Sequence, residues 1–530
     1  DLVLTEDQLK AYTIAEIELL LQSNDTTLKE YPTMPKPDSS LIPERHNRLI
    51  FDELNYDRQR LAEEHVRLMS TMTPEQRRVY ETIMERVNER KPGVFFLYGY
   101  GGTGKTFIWR AMSAAIRSRG EIVLTVASSG IAALLIPGGR TAHSRFCIPL
   151  NVDEFSTSPM MHKHCFEAVD RTFKDIMRPY DEKNKYIPFG GKVMVLGGDF
   201  RQILPVIPKG TRQEVVHAAI NSSLLWDFCE VFTLSKNMRL QTGPSTSNTE
   251  ETTQFSKWVL GIGDGTIGET NDEDIQLQIP SDFLISSSGN SIAAIVHSTY
   301  PNLLENMNNI SYFQDRAILT PKNVIVEMIN AYMLDLLPGE EKTYLSLDSP
   351  HSPNSDVSAV DDVHTPEFLN TINASGLPTH KLRLKLGVPV MLLRNIDQSS
   401  GLCNGTRLII TRLGKTVLEG KVISGSNIGD KVFIPRLSLT PSDLRIPFKF
   451  QRKQFPLTVS FAMTINKSQG QSLKHVGVYL PTSVFSHGQL YVAISRVTSR
   501  NGLKILLTND DEEDTNVTSN VVYREVFRNI

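Results

Sequence analysis

Apolar and polar positions divide the chain into stretches of different texture. Residues 1–70 are charged and carry apolar residues at helical spacing (AEIELLLQ, then DELNYDRQRLAEEHVRLM), with a proline-rich break at YPTMPKPDSS. From Thr71 the texture becomes α/β. TPEQRRVYETIMERV has a Thr-Pro start and an early Glu, which predicts a capped helix. GVFFLYG, EIVLTVAS and VMVLGG are short apolar runs rich in β-branched and aromatic residues, predicted as strands buried on both faces. KTFIWRAMSAAIRSRG, between the first two, predicts a crossover helix stopped by Gly120. Between Lys381 and Leu437 the runs LGVPVMLLRN, TRLIITRLG, KTVLEGKVI and KVFIPRL are broken by Gly and Asn, the pattern of a small β-barrel. The α/β texture resumes at FPLTVSFAMTINKSQGQSL, while Gln241–Glu251 and Pro338–Gly376 read as loops or linkers.

At 530 residues the chain has room for three or four domains and a large core without disulfide or metal staples. Its 56 basic and 59 acidic residues give −3, and 40% of positions are hydrophobic, which excludes a disordered tail protein, a collagen-like repeat and a small secreted scaffold. A near-neutral total does not exclude nucleic acid, because a basic groove can be balanced by acidic surface elsewhere. Cys147, Cys165, Cys229 and Cys403 form no close pair, so a reducing compartment is expected. No apolar run approaches the ~18 residues of a membrane span. The first residues, DLVLTEDQLK, lack an initiator Met and read as the start of a fragment.

The most specific signal is GYGGTGKT, Gly99 to Thr106, which fits G-x-x-x-x-G-K-[ST] between an apolar strand and a helix. Gly99, Gly101, Gly102, Thr103 and Gly104 let backbone N–H groups turn inward around phosphate oxygens, and the helix N-terminus adds partial positive charge. Lys105 is expected to reach the β- and γ-phosphates of ATP, and the Thr106 hydroxyl to bind Mg²⁺. Such a loop serves kinases, G proteins, transporter ATPases and helicases alike, so the rest of the chain must choose.

VASSGIAALLIPGGRTAHSRF, VMVLGGDFRQILPV, FAMTINKSQGQSL and YVAISRVTS follow the loop in that order. The set resembles motifs Ia, III, V and VI of superfamily 1B DNA helicases, and more narrowly the PIF family in its plant and Helitron-transposon branch. MMHKHCFEAVDRTFKDIMR is similar to that family's signature between motifs II and III, and LGVPVMLLRNIDQSSGLCNGTRLII to its inserted small β-barrel. The likeness runs from about Thr73 to Ile530. It implies an α/β fold of two RecA-like P-loop domains with parallel sheets, an inserted small β-barrel and a helical N-terminal extension. The boundaries it suggests are 1–70 for the extension and 71–237 for the first RecA-like domain. The second occupies 238–380 and 451–530, with the barrel at 381–450 between its parts. The implied activity is ATP-dependent 5′→3′ helicase action on single-stranded and forked duplex DNA, in repair, recombination or telomere maintenance, with nuclear localisation.

Carried over by motif, Gln76 in TPEQ matches the glutamine that reads adenine, and Gln202 in GGDFRQ the one that senses the γ-phosphate. Arg239 in LSKNMRL and Arg496 in AISRV match the arginines that reach across the cleft to the transferred phosphoryl, although an arginine at a surface or core edge often serves only a salt bridge. For DNA, the resemblance points to Ser129, Thr141, His143 and Phe146 in the Ia-like stretch. Thr464, Lys467, Ser468 and Gln469 belong to motif V. Small hydroxyls and amides bind phosphates and an aromatic ring stacks on bases, but Ser and Thr also cap helices and Phe146 could equally pack in a core.

One element of the family pattern is missing. The Walker B strand, apolar and ending Asp-Glu, belongs immediately before the Met-Met of the signature, yet Asn151–Met161 reads NVDEFSTSPMM. Asp153-Glu154 follows IPLN rather than a buried strand, and Asp199, at the end of KVMVLGGD, is identified by the FRQILPV after it as motif III. Neither is taken as the catalytic base. The gap falls near Ser156–Pro159, as a skipped exon or faulty gene model, a natural deletion in a decaying transposon-derived copy, or an excised wedge would leave it. A hydrolysis-defective ATP- and DNA-binding protein is therefore the alternative to an active helicase; a nucleotide kinase is disfavoured by motifs V and VI and the barrel. His143, Cys147, His162, His164 and Cys165 match no regular zinc spacing, so no structural zinc is expected. The acidic run Asp510–Asp514 reads as a solvated loop.

Overall fold

The computed structural model describes residues 6–530 apart from 23–26, 32, 37–49, 51–52, 147, 149–160, 237, 239–246, 272–273, 287–288, 351–364, 375, 398–399, 426, 442–445, 447, 509–515 and 529. Arg239, Cys147, the Asp153-Glu154 pair, the Ser156–Pro159 junction and the acidic run lie outside the described residues. Two compact units divide the chain. The smaller joins residues 1–67 to 113–123. It contains helix α1 (Glu6–Gln22) and most of α2 (Arg58–Thr71). Its buried anchor is Arg117, which donates to Glu53 at 3.2 Å and lies 4.3 Å from the centre of the Tyr56 ring.

The larger unit begins with α3 (Pro74–Glu89), where Thr73 and Gln76 form the reciprocal capping box that TPEQ encodes. Strand β1 (Gly93–Gly99) is buried at all but its first residue and runs into the glycine loop, from which α4 (Lys105–Ser118) departs. The EIVLTVAS run behaves differently from its pattern. Only β2 (Val126–Ala127) is extended, and it pairs in parallel with β3 (Arg140–Thr141) outside the main sheet. Two short helices follow, α5 (Gly130–Leu134) and α6 (Ala142–Phe146), and then the longer α7 (Lys163–Met177). The main sheet is parallel, with β1 between β4 (Val193–Gly198) and β5 (Cys229–Leu234).

Strand β4 corrects the expectation of burial on both faces: Val193 to Leu196 are only half-buried. The physical reason is position. Among the described residues no strand lies on its outer side, so its apolar side chains lack the neighbour that β1 gives them on the inner side.

The second half holds helix α8 (Ser247–Asp264), strand β6 (Arg316–Thr320) and helix α9 (Asn323–Leu336). The four runs between Lys381 and Leu437 become strands β7 (Pro389–Leu392), β8 (Arg407–Leu413), β9 (Val417–Val422) and β10 (Lys431–Pro435). With β11 (Leu457–Val459) they form an antiparallel sheet ordered β10-β9-β8-β7-β11, bulged between Ile410 and Arg412. Buried Phe461 then leads directly into a second parallel sheet. There β12 (Ala462–Thr464) and β13 (His475–Leu480) flank β6, and β14 (Leu503–Leu507) lies beyond β13. The short helix α10 (Gln489–Ile494), whose every residue is buried, fills the space beside this sheet.

The two halves of this unit share core. Phe200, which follows β4, stacks on Phe96 with centroids 5.3 Å apart and meets Trp226 edge-on at 5.8 Å. Val526, which follows the second parallel sheet in sequence, is fully buried in the same cluster. The backbone carbonyl of Val526 accepts from Asn221 at 2.7 Å, and Glu525 pairs with Arg212 at 2.9 Å.

Candidate nucleotide and nucleic-acid site

The glycine loop sits where β1 hands over to α4, the position that turns backbone N–H groups toward an anion. Gly104 has φ +88°, and a Cβ there would lie 2.3 Å from Nε2 of Gln76, so only glycine fits. Gln76 is buried and fully engaged. Its Oε1 accepts from the Thr73 N–H, and its Nε2 donates to the Thr103 carbonyl at 3.1 Å. The glutamine expected to read adenine thus also braces the loop.

Lys105 donates to the carbonyls of Gly99 and Tyr100. Burial pushes its pKa below the ordinary lysine value, and the Asp199 carboxylate opposes that push. The Met238 N–H donates to the Gly102 carbonyl at 2.9 Å, which brings the chain just before Arg239 to the loop.

The turn after β4 is the centre of the site. Gly198 pairs with Tyr98 at the end of β1, so Asp199 emerges beside the start of the glycine loop. Four consecutive residues then reach four partners in the second half of the unit. Asp199, 1% exposed, accepts from the Tyr491 hydroxyl at 2.7 Å. The Phe200 carbonyl is 2.7 Å from Nε2 of His487. Arg201 donates through Nε to Asp264 at 2.7 Å and lies over the Tyr98 ring. Oε1 of Gln202 accepts from Nε2 of Gln469.

Gln202 and Gln469, assigned from sequence to different ligands, are therefore hydrogen-bonded to each other. Arg496 is buried within its own half. Its Nε donates to the Val492 carbonyl at 2.9 Å, one Nη to the Gln471 carbonyl at 3.3 Å and the other to the Ser495 hydroxyl at 2.8 Å. Arg496 is in this way tied to the segment that carries Gln469.

The remaining DNA candidates divide between capping and open roles. Ser129 is the N-cap of α5, accepting from the Ala132 N–H, so its hydroxyl is already a structural cap. Phe146 meets Phe173 edge-to-face at 5.8 Å and packs on the core cluster around Val169. Thr141 is buried, and burial lowers the pKa of His143. Thr464 accepts from the Lys467 N–H at 3.4 Å, and the Ser468 hydroxyl donates to the Ile465 carbonyl at 2.6 Å. Lys467 keeps an exposed side chain on that turn. The two stretches do converge: a Cβ on Gly470 would lie 3.6 Å from Ile131.

The residues that motif matching passed over are Tyr491, His487 and Arg201. His487 is 1% exposed and neutral, because burial lowers its pKa to about 4. Its Nδ1 accepts from the Tyr523 N–H at 2.8 Å, which fixes the tautomer that donates from Nε2 to Phe200. A polar side chain inside the apolar run QLYVAI was the available sequence signal for Tyr491. Among the described residues no group of three His, Cys, Asp or Glu could hold a metal ion.

Comparison with known proteins supplies the family context. The family model for PIF1-like helicases matches residues 71–158 and 157–273, and the model for the 2B domain of DNA helicase Pif1 matches 367–413. The chain is 26% identical over 442 residues to the ATP-dependent DNA helicase PIF1 of Homo sapiens, covering 78% of this chain and 58% of that protein. It is 26% identical over 490 residues to the ATP-dependent DNA helicase Pif1 of Psychrobacter sp., covering 78% and 66%. The chain thus spans about three fifths of the length of the first of these relatives. Among solved structures, Bacteroides Pif1 bound to single-stranded DNA aligns with TM-score 0.53 and 24% identity, over 82% of this chain and 91% of that one. Pif1 helicase from Candida albicans aligns with TM-score 0.51 and 20% identity, over 86% and 98%. These structures share the fold: two RecA-like lobes with parallel sheets.

Proposed function

We propose that the chain is a PIF1-like helicase of superfamily 1B that couples ATP hydrolysis to 5′→3′ movement along single-stranded DNA and to unwinding of forked duplexes, a reading supported by its matches to the family model and to PIF1 helicases. The observation that carries this reading is the turn Asp199–Gln202. It abuts the glycine loop through β1 and β4 and bonds directly to the motif V segment through Gln202 and Gln469. Lys105 would exchange its loop carbonyls for phosphate oxygens. Gln202 would leave Gln469 to meet the γ-phosphate, and Arg496 would swing from the carbonyls of Val492 and Gln471 toward the transferred phosphoryl. Thr106, at the first turn of α4, suits Mg²⁺ brought by the triphosphate, since that ion keeps most of its waters and phosphate ligands and needs few protein oxygens. The ion would neutralise charge developing on the phosphates. Repair, recombination or telomere maintenance in the nucleus is the setting this reading suggests.

The second reading, a protein that binds ATP and DNA but hydrolyses poorly, rests on the missing strand. Three observations favour a gap. The family match comes in two pieces that meet at residues 157–158. β4 lacks an outer neighbour among the described residues. The indole N–H of Trp109, whose ring lies against Gly197 of β4, is buried without a partner among the described residues. An apolar strand ending Asp-Glu would fill that place and supply the carboxylates for the metal and the attacking water.

DNA-stimulated ATPase of the purified chain separates the two readings. Turnover well above that of Lys105→Ala supports the active enzyme; turnover equal to that variant sinks it. On forks with a single tail, unwinding from the 5′ tail alone is expected, and unwinding only from a 3′ tail would contradict the polarity. Sequencing the transcript across Ser156–Pro159 shows whether a strand has been lost from the gene product.

A further inference from the structure

The hydrogen bond between Asp199 and Tyr491 has a geometry that the proposed chemistry does not use. Both groups are buried, at 1% and 2% exposure. The carboxylate can only accept and the phenol has one proton to give, so the pair has a single bonded arrangement. Burial first, and the Asp199 charge second, hold the Tyr491 pKa well above its usual value, so the proton stays on the phenol. The ring has one seat: a Cβ on Gly263 would lie 2.7 Å from its Cδ2.

Each end of the bond is mounted on a rigid element. Asp199 directly follows β4, which is in parallel register with β1 up to the pair Tyr98–Gly198, one residue before the glycine loop. Tyr491 lies on α10, whose next turn delivers Arg496. The Arg496 carbonyl accepts from the Leu473 N–H, just beyond Gln469, a backbone bond that does not depend on where the guanidinium points. A displacement of the loop's base on nucleotide binding therefore has a stiff path to the DNA-binding turn and to the cleft arginine.

We propose that Tyr491, through its bond to Asp199, is a positioning residue that transmits nucleotide occupancy at the Lys105 loop to the motif V turn. The inference rests on the reading that this loop holds ATP. Gln202 and Gln469 also join the two sides, but Gln202 lets go in the proposed chemistry when the γ-phosphate arrives, whereas that chemistry asks neither Asp199 nor Tyr491 to leave its partner.

The test needs no hydrolysis. The Kd of the chain for oligo-dT is measured with and without a non-hydrolysable ATP analogue, alongside binding of a fluorescent ATP analogue. For the unaltered chain the two DNA Kd values should differ by about fivefold or more. Tyr491→Phe should bind nucleotide alone and DNA alone within about twofold of the unaltered chain, while the ratio of its DNA Kd values falls close to one. A Tyr491→Phe ratio equal to that of the unaltered chain overturns the proposal. Asp199→Asn keeps an amide oxygen that accepts from the phenol and should keep most of the ratio, whereas Asp199→Ala should lose it. If Tyr491→Phe fails to fold, that contrast decides, and equal ratios for Asn and Ala overturn the proposal. Failure of the underlying reading looks different: the unaltered chain would bind the fluorescent nucleotide no better than Lys105→Ala.

Discussion

At Arg452 a buried charge is accommodated by giving every N–H of the guanidinium a partner. Arg452 and Asp348 are both fully buried; the guanidinium spans both carboxylate oxygens at 2.6–3.0 Å and also donates to the carbonyls of Leu369, Ile372 and Pro378. Breaking such a pair strands the remaining charge, so Asp348→Ala is expected to cost about 3–5 kcal/mol of stability, read from urea denaturation. His487 illustrates the opposite device, a titratable group kept neutral. Its folded pKa of about 4 lies below the value near 6.5 of the unfolded chain, so the unfolded state binds more protons between those two values. The contribution is therefore complete above pH 6.5 and declines as pH falls toward 4, by roughly 2 kcal/mol between pH 7 and pH 5. Melting temperatures at those two pH values should converge in His487→Asn, which keeps an acceptor near Nδ1 but cannot take up a proton; an unchanged gap would discount His487 as the source.

At the scale of elements, the contacts that matter are made where strands end and helices begin. Gly488 precedes α10 with φ +71°, and a Cβ there would sit 2.2 Å from the Arg201 carbonyl. Gly488→Ala is therefore expected to cost upward of about 2 kcal/mol, since the left-handed backbone and the close approach both oppose a side chain. A thermal melt that drops by several degrees would agree with this, and an unchanged one would not. The capped helix at TPEQ, the crossover helix stopped by Gly120 and the four strands between Lys381 and Leu437 were legible because each carries its own periodicity and punctuation. The EIVLTVAS run was not, because a strand also needs a neighbour, and pairing partners distant in sequence leave no local mark. The same holds for the site: the glycine loop announces itself, whereas the bond from Tyr491 to Asp199 joins residues 292 positions apart.

For the whole molecule, the two RecA-like halves are bound by more than their cleft. Ile203, just past the Asp199–Gln202 turn, is buried in the core of the second parallel sheet, while Val526 is buried in the core of the first. Each half thus lends a residue to the other. The order of the motifs is legible in the sequence but this exchange is not, because Ile203 and Val526 are ordinary apolar residues that only the assembled fold distinguishes.

That exchange bears on how variants of the gene should be interpreted. A premature stop at Val521 would leave the glycine loop, both parallel sheets and every motif arginine intact, and on a coverage map the product would pass for nearly whole. It would nevertheless lack the carbonyl that Asn221 holds, the acid opposite Arg212 and the N–H that sets the His487 tautomer. Such a truncation is expected to lower the melting temperature of the chain by several degrees, and an unchanged melt would show that these contacts are dispensable.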